Sequence, residues 1–192
     1  LAPRSDAEGD DSPPPTNGQQ LADGLLSHNR AIYRRCDDSV MLCVGDNPLF
    51  IRRSRGWAPQ PLSIRDCGRN ILALGGEQKN TFCLTRGNEA FLSQHIGDLD
   101  NSATYSGFKQ EIDFYIKMFD SRPQLIAHDL HPQYLSTQYA MTEVGPLPKL
   151  AVQHHQAHFA SVLAEHRLGG PAIGLIFDGT GYGEDGCLWG GE

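Results

Sequence analysis

Residues 150–166 read Leu150-Ala151-Val152-Gln153-His154-His155-Gln156-Ala157-His158-Phe159-Ala160-Ser161-Val162-Leu163-Ala164-Glu165-His166. The short apolar run at the start suits a buried strand, and the spacing after it becomes helical. On a wheel at about 100° per residue, His158, Ser161 and Glu165 fall about 40°, 340° and 20° from His154, whereas Val152, Phe159, Val162 and Leu163 gather between about 80° and 180°. The helix is expected to bury the second group and to present two imidazoles from the other side. Residues four apart rise about 6 Å along the axis, so His154 and His158 can reach one ion at about 2.0–2.2 Å. His155 points about 100° away and is expected to pack or to support the pair. No Glu follows the first histidine, so this is not the zinc-protease arrangement. Surface or hydrogen-bonding histidines are the plain alternative.

Working outward, Ile71-Leu72-Ala73-Leu74, Thr81-Phe82-Cys83-Leu84, Leu125-Ile126-Ala127 and Ala172 to Phe177 read as further strands. Phe108, Ile112, Tyr115 or Ile116, and Phe119 fall at helical spacing, with Pro123 as the break. Strands alternating with helices predict an α/β fold with a largely parallel sheet, whose ligands lie outside the carboxyl ends of the strands. Gly75-Gly76, His128-Asp129, His154 and Asp178 each follow an apolar run and fall at such ends.

Two glycine loops belong to this arrangement. Asp178-Gly179-Thr180-Gly181-Tyr182-Gly183 can curl backbone amides around phosphate oxygens, while Asp178 holds Mg²⁺ or another cation by its carboxylate. The loop lacks the Lys-Ser/Thr of a P-loop and the dinucleotide fingerprint. Gly75-Gly76-Glu77-Gln78-Lys79-Asn80-Thr81 places a single cation, Lys79, beside amides that can meet a phosphate. A glycine-rich surface turn in the first case, and a solvated hairpin turn in the second, would also account for them.

Composition narrows the class. The 192 residues carry 16 basic and 23 acidic side chains, a net charge of −7, which repels a polyanion and argues against nucleic acid as a partner. No apolar run is long enough to cross a membrane as a helix. Five dispersed cysteines suit free thiols in a reducing, cytoplasmic compartment. Residues 1–20 are rich in proline and acid and are expected to form an arm or linker. A first module spans 21–60, closed by the basic loop Arg52-Arg53-Ser54-Arg55-Gly56-Trp57-Ala58-Pro59, and a second spans 61–192. Both ends of the chain are expected to be cuts within a longer protein.

Several unusual motifs stand in order: Asp37-Asp38-Ser39-Val40, Ile51 to Pro59, Leu74-Gly75-Gly76-Glu77-Gln78-Lys79-Asn80-Thr81-Phe82, Leu92 to Leu99, His128-Asp129-Leu130-His131-Pro132, Val152 to His158, and Phe177 to Gly183. In this, residues 21–192 resemble the hydrogenase-maturation carbamoyltransferases, the HypF family. The resemblance implies the first lobe of an actin-like, Kae1-like ATPase fold, preceded by the C-terminal remnant of a YrdC-like adenylate-forming domain. It implies an enzyme that uses ATP and carbamoyl phosphate, through carbamoyl adenylate, to carbamoylate the C-terminal cysteine of a HypE-like partner. By the same resemblance His154 and His158 match a metal pair for Fe or Zn, and Asp178 is a third metal ligand or a nucleotide-loop acid. Lys79 and Asp178 are then the catalytic candidates. Gly75, Gly76, Lys79 and Asn80, with Gly179, Thr180, Gly181 and Gly183, are the nucleotide-binding candidates. The family's acylphosphatase-like domain, its zinc-finger cysteines and the second half of its transferase domain have no counterpart in these residues, so the fragment alone is expected to be inactive.

Overall fold

A computed structural model describes residues 24, 26 and 29–192. The arm expected over 1–20, and Leu21 and Leu25 of the first expected module, lie outside the described residues. The chain divides between Arg35 and Cys36, and every helix and strand described belongs to Cys36–Glu192.

The elements run β1 (Val40–Val44), β2 (Asn47–Arg52), β3 (Leu62–Ser63), β4 (Ile71–Ala73), β5 (Cys83–Arg86), β6 (Glu89–Leu92), α1 (Ser102–Met118), β7 (Leu125–Asp129), α2 (Leu135–Thr142), β8 (Lys149–Val152), α3 (His154–Glu165), β9 (Gly181–Tyr182) and β10 (Leu188–Trp189). Six of the strands form one sheet in the order β3-β6-β5-β4-β7-β8. The fold is mixed α/β, but the sheet is not largely parallel. Only β4 with β7 and β7 with β8 run parallel, whereas β3, β6, β5 and β4 pair antiparallel. The reason is the connections: β5 and β6 are joined by a tight turn at Gly87-Asn88, and a hairpin can only return antiparallel. The long path through α1 is what lets β7 lie parallel beside β4.

The core forms where α1 and α2 meet this sheet. Phe108, Ile112 and Tyr115 recur at helical spacing on α1 and are buried with Leu72, Leu84 and Ile126 from the strands and with Phe82, which immediately precedes β5. Phe82 sits edge-on to Tyr115 at 4.9 Å between ring centroids, and Phe108 edge-on to Tyr139 of α2 at 5.5 Å. Asn101 starts α1 by accepting from the Thr104 amide at 2.9 Å. Asp120, in the left-handed region at φ 45°, and Pro123 end it.

The expected strand from 172 to 177 does not form. The segment keeps an alternating pattern, yet Ile173, Leu175 and Phe177 are 95%, 73% and 85% exposed, and β8 remains the last strand of the sheet. Apolar alternation specifies a face to bury, but a strand also needs a neighbouring backbone. Here Ile176 donates to the Glu192 carbonyl without a ladder around it. The α3 wheel is corrected as well. Val152 belongs to β8, Val162 is half exposed, Phe159 and Leu163 are partly buried, and the one buried side chain of the helix is His155.

Residues 36–60 form the β1–β2 hairpin and the basic loop. The loop's arginines are spent on local structure. Arg52 and Arg55 pair with Asp37 and Asp38, and Arg53 donates to the carbonyls of Trp57, Gln60 and Leu92. The last of these ties the loop to the end of β6.

Candidate metal centre

The parallel register of β7 and β8 places Asp129 opposite Val152, so both strands end at one edge of the sheet. Gln153 caps α3 there, its side chain accepting from the Gln156 amide at 3.0 Å, and His154 becomes the first helical residue. One turn later His158 stands beside it, with the two Nε2 atoms 3.2 Å apart. Asp178 arrives from the segment after α3 and puts Oδ2 3.0 Å from His154 Nε2 and 3.4 Å from His158 Nε2.

This triangle is the size that a single ion requires. Donor atoms about 2.1 Å from one tetrahedral ion lie roughly 3.4 Å from each other, and about 3.0 Å around an octahedral one. The three side chains together form the only cluster of this kind among the described residues.

A fourth residue fixes the first. Asp129, buried at the end of β7, accepts from His154 Nδ1 through Oδ2 at 2.7 Å and from the His131 amide through Oδ1 at 2.8 Å. A carboxylate can only accept, so the Nδ1 hydrogen is held on Asp129 and Nε2 is directed toward His158 and Asp178. The hydrogen bond to Asp129 raises the His154 imidazole above its ordinary value against burial, which lowers it, and Asp178 adds to the rise. Burial pushes the Asp178 carboxyl up, but His154, His158 and the amides of Gly179 and Thr180 outweigh it and hold the group below its ordinary value. Asp129 was not among the candidates from sequence. Its signal was an acid at the end of an apolar run, already visible at His128-Asp129.

The remaining candidates divide. Gly76 borders the cluster, since a side-chain carbon there would lie 3.6 Å from His154 Cε1. Gly75 turns the chain at φ 68°, and its carbonyl accepts from Ser136 Oγ at 3.0 Å. Asn80 is buried and spends its amide hydrogens on the Leu74 and Gly76 carbonyls, at 2.9 and 2.6 Å, bracing that loop from within. Lys79 is exposed at φ 48°, its amide held by Asp98 Oδ1 at 2.7 Å, and no contact joins its side chain to the histidines among the described residues. In the second loop Gly179 and Thr180 are exposed, and the Gly191 amide donates to the Asp178 carbonyl at 3.0 Å. Gly183 donates to the Cys187 carbonyl at 2.8 Å, and Gly181 is buried in β9. These contacts join the Asp178 loop to the β9–β10 hairpin.

Residues 66–165 match the family description HypF Kae1-like domain. The chain is 50% identical over 177 residues to carbamoyltransferase HypF2 of Cupriavidus necator, covering 90% of this chain and 22% of that protein. It is 46% identical to carbamoyltransferase HypF of Synechocystis, covering 92% of this chain and 23% of that protein. A crystal structure of full-length HypF in the phosphate- and nucleotide-bound form superposes with a TM-score of 0.79 at 50% identity, over 85% of this chain and 22% of the other. HypF of T. kodakarensis gives 0.76 at 40% identity, over 82% and 21%. The chain therefore spans under a quarter of the length of these relatives.

Proposed function

The chain belongs to the HypF family of carbamoyltransferases, and from that premise we propose that it carries the metal-holding part of a site that moves a carbamoyl group onto a thiol during hydrogenase maturation. The parent enzyme would use ATP and carbamoyl phosphate, form carbamoyl adenylate, and deliver the carbamoyl group to the C-terminal cysteine of a HypE-like partner. The observation that carries this reading is the His154–His158–Asp178 triangle, oriented through Asp129 at the carboxyl edge of the sheet.

His154, His158 and Asp178 would hold the ion. Two imidazoles and one carboxylate suit Zn or Fe, whereas Mg prefers oxygen donors and would accompany the nucleotide phosphates. A bound ion supplies Lewis-acid stabilisation of negative charge that develops on the transferring group. The protein's own residues prepare the place for it. Asp129 keeps the His154 hydrogen on Nδ1, and Asn80 and Ser136 brace the Gly75-Gly76 loop beside the imidazole. Gly76, having no side chain, leaves room for a ligand to approach. Lys79, exposed on the same loop, is the candidate to meet a phosphate. None of the five cysteines lies in the cluster, and burial pushes the Cys83 thiol up to about 12, which suits transfer to a thiol outside this chain.

The test is intact-mass spectrometry of the partner after incubation with ATP, carbamoyl phosphate and metal. A mass gain of one carbamoyl group on the terminal cysteine is expected with the parent polypeptide and not with the 192-residue chain alone. A parent polypeptide that produces no adduct refutes the reading. A chain that produces it alone refutes the assignment of only part of the site to these residues.

A further inference from the structure

The Asp178 carboxylate reaches the histidines from a segment that has no place in the main sheet, so something other than strand pairing must hold it there. The hairpin of β9 and β10 follows three residues later, with Gly181 paired to Trp189. Gly181 is buried and faces the first turn of α3. A Cβ at this position would lie 2.8 Å from His155 Nε2, 3.0 Å from His155 Cε1 and 3.1 Å from His154 Cβ. Such distances are shorter than carbon and nitrogen tolerate without a shift of one partner. The His155 ring cannot readily give way, because it is 3% exposed. Neither of its ring nitrogens has a hydrogen-bond partner among the described residues, so packing alone fixes where it lies.

Two further contacts hold the hairpin at this edge of the sheet, one to the cap of α3 and one to the loop after β7. Gln153 Nε2 donates to the Tyr182 carbonyl at 3.4 Å, and the Tyr182 ring stands edge-on to His131 at 5.1 Å. Between Gly181 and Asp178 the chain has only two residues, and the segment after β10 holds Asp178 from the other side, the Gly191 amide donating to the Asp178 carbonyl at 3.0 Å. A displacement of Gly181 is therefore passed to Asp178 through two residues on one side and through Gly191, two residues beyond its strand partner Trp189, on the other.

We propose that Gly181 is a positioning residue for the metal centre: its missing side chain lets the hairpin seat on His155, and that seat sets Asp178 at ligand distance from His154 and His158. The inference rests on the metal-holding reading of the triad. It assigns His155 a purpose apart from the ligand pair, as the floor on which the third ligand's loop is set. The glycine is needed here for close approach, since its backbone conformation is open to any residue.

Zn²⁺ affinity of the full chain, measured against a chromophoric chelator, tests it in a double-mutant cycle with Gly181→Ala and His155→Ala. Gly181→Ala is expected to weaken Zn²⁺ binding by about tenfold or more in the native background. In the His155→Ala background, where the two closest contacts are gone, the same substitution is expected to cost less than about threefold. That second comparison also serves if Gly181→Ala by itself does not fold. Equal Zn²⁺ affinity for Gly181→Ala and the native chain would overturn the proposal while leaving the triad intact. So would an equal loss in both backgrounds. A native chain that binds no Zn²⁺ would overturn the triad and the proposal together.

Discussion

Asp129 and His154 share a hydrogen bond of 2.7 Å between a buried carboxylate and a ring nitrogen that faces away from the other members of the cluster. The residues are far apart in sequence and meet because β7 and β8 end in parallel register. The bond settles which nitrogen of His154 is available, and so decides whether the helix offers a ligand or merely an imidazole.

Substituting Asp129→Ala should therefore lower metal affinity of the chain by about 10–100-fold while the ligands themselves are untouched. A competition titration with Zn²⁺ reads this directly. Affinity equal to the native chain would mean that the Asp129 contact does not govern the site.

Removal of both imidazoles is the stronger perturbation. In the parent enzyme, His154→Ala with His158→Ala is expected to abolish stoichiometric Zn or Fe, because Asp178 alone offers one carboxylate in place of three donors. Elemental analysis after desalting is the measurement, and unchanged metal content would rule out this location.

Core packing predicts a different phenotype from the same sheet. Phe82 is fully buried between Phe108 and Tyr115, so Phe82→Ala should destabilise the fold by about 3–5 kcal/mol through lost contact and a residual cavity. Urea unfolding followed by circular dichroism gives the value. A loss below about 1 kcal/mol would contradict the packing described.

The link between α1 and α2 should be pH-dependent. Glu143 accepts from Tyr105 at 2.6 Å and from Lys109 at 3.1 Å, and these contacts hold its carboxyl below the ordinary 4.5. A carboxyl lowered in the folded state stabilises above its unfolded value, and the contribution disappears as the pH falls through the folded one. Glu143→Gln should thus cost some stability near neutral pH, less than about 1 kcal/mol because the pair is partly exposed. The difference from the native chain should shrink in acid. Thermal melts of both proteins across the carboxylate range would show this, and a constant difference would exclude it.

Some of this protein was legible in one dimension. The i, i+4 spacing of His154 and His158 needs only helix geometry to become a pair of adjacent imidazoles, and the apolar runs that became β4, β7 and β8 needed only their composition. The ordered motifs were enough to indicate the family, which the comparisons then showed over residues 66–165.

What local pattern could not decide was pairing between distant residues. The alternation of Ile173, Leu175 and Phe177 suits a strand, but the segment meets only the backbone of Gly191 and Glu192 by isolated hydrogen bonds and joins no ladder. The direction of β5 and β6 followed from a tight turn rather than from apolar content. The tight turn that joins Gly183 to the Cys187 carbonyl likewise depends on residues that local pattern does not pair. Asp129 and Gly181 acquire their meaning only once the sheet register and the hairpin seat bring them to α3. A side chain's chemistry is fixed by its residue type, but its available atoms are fixed by its neighbours in space, and those neighbours come from tertiary structure.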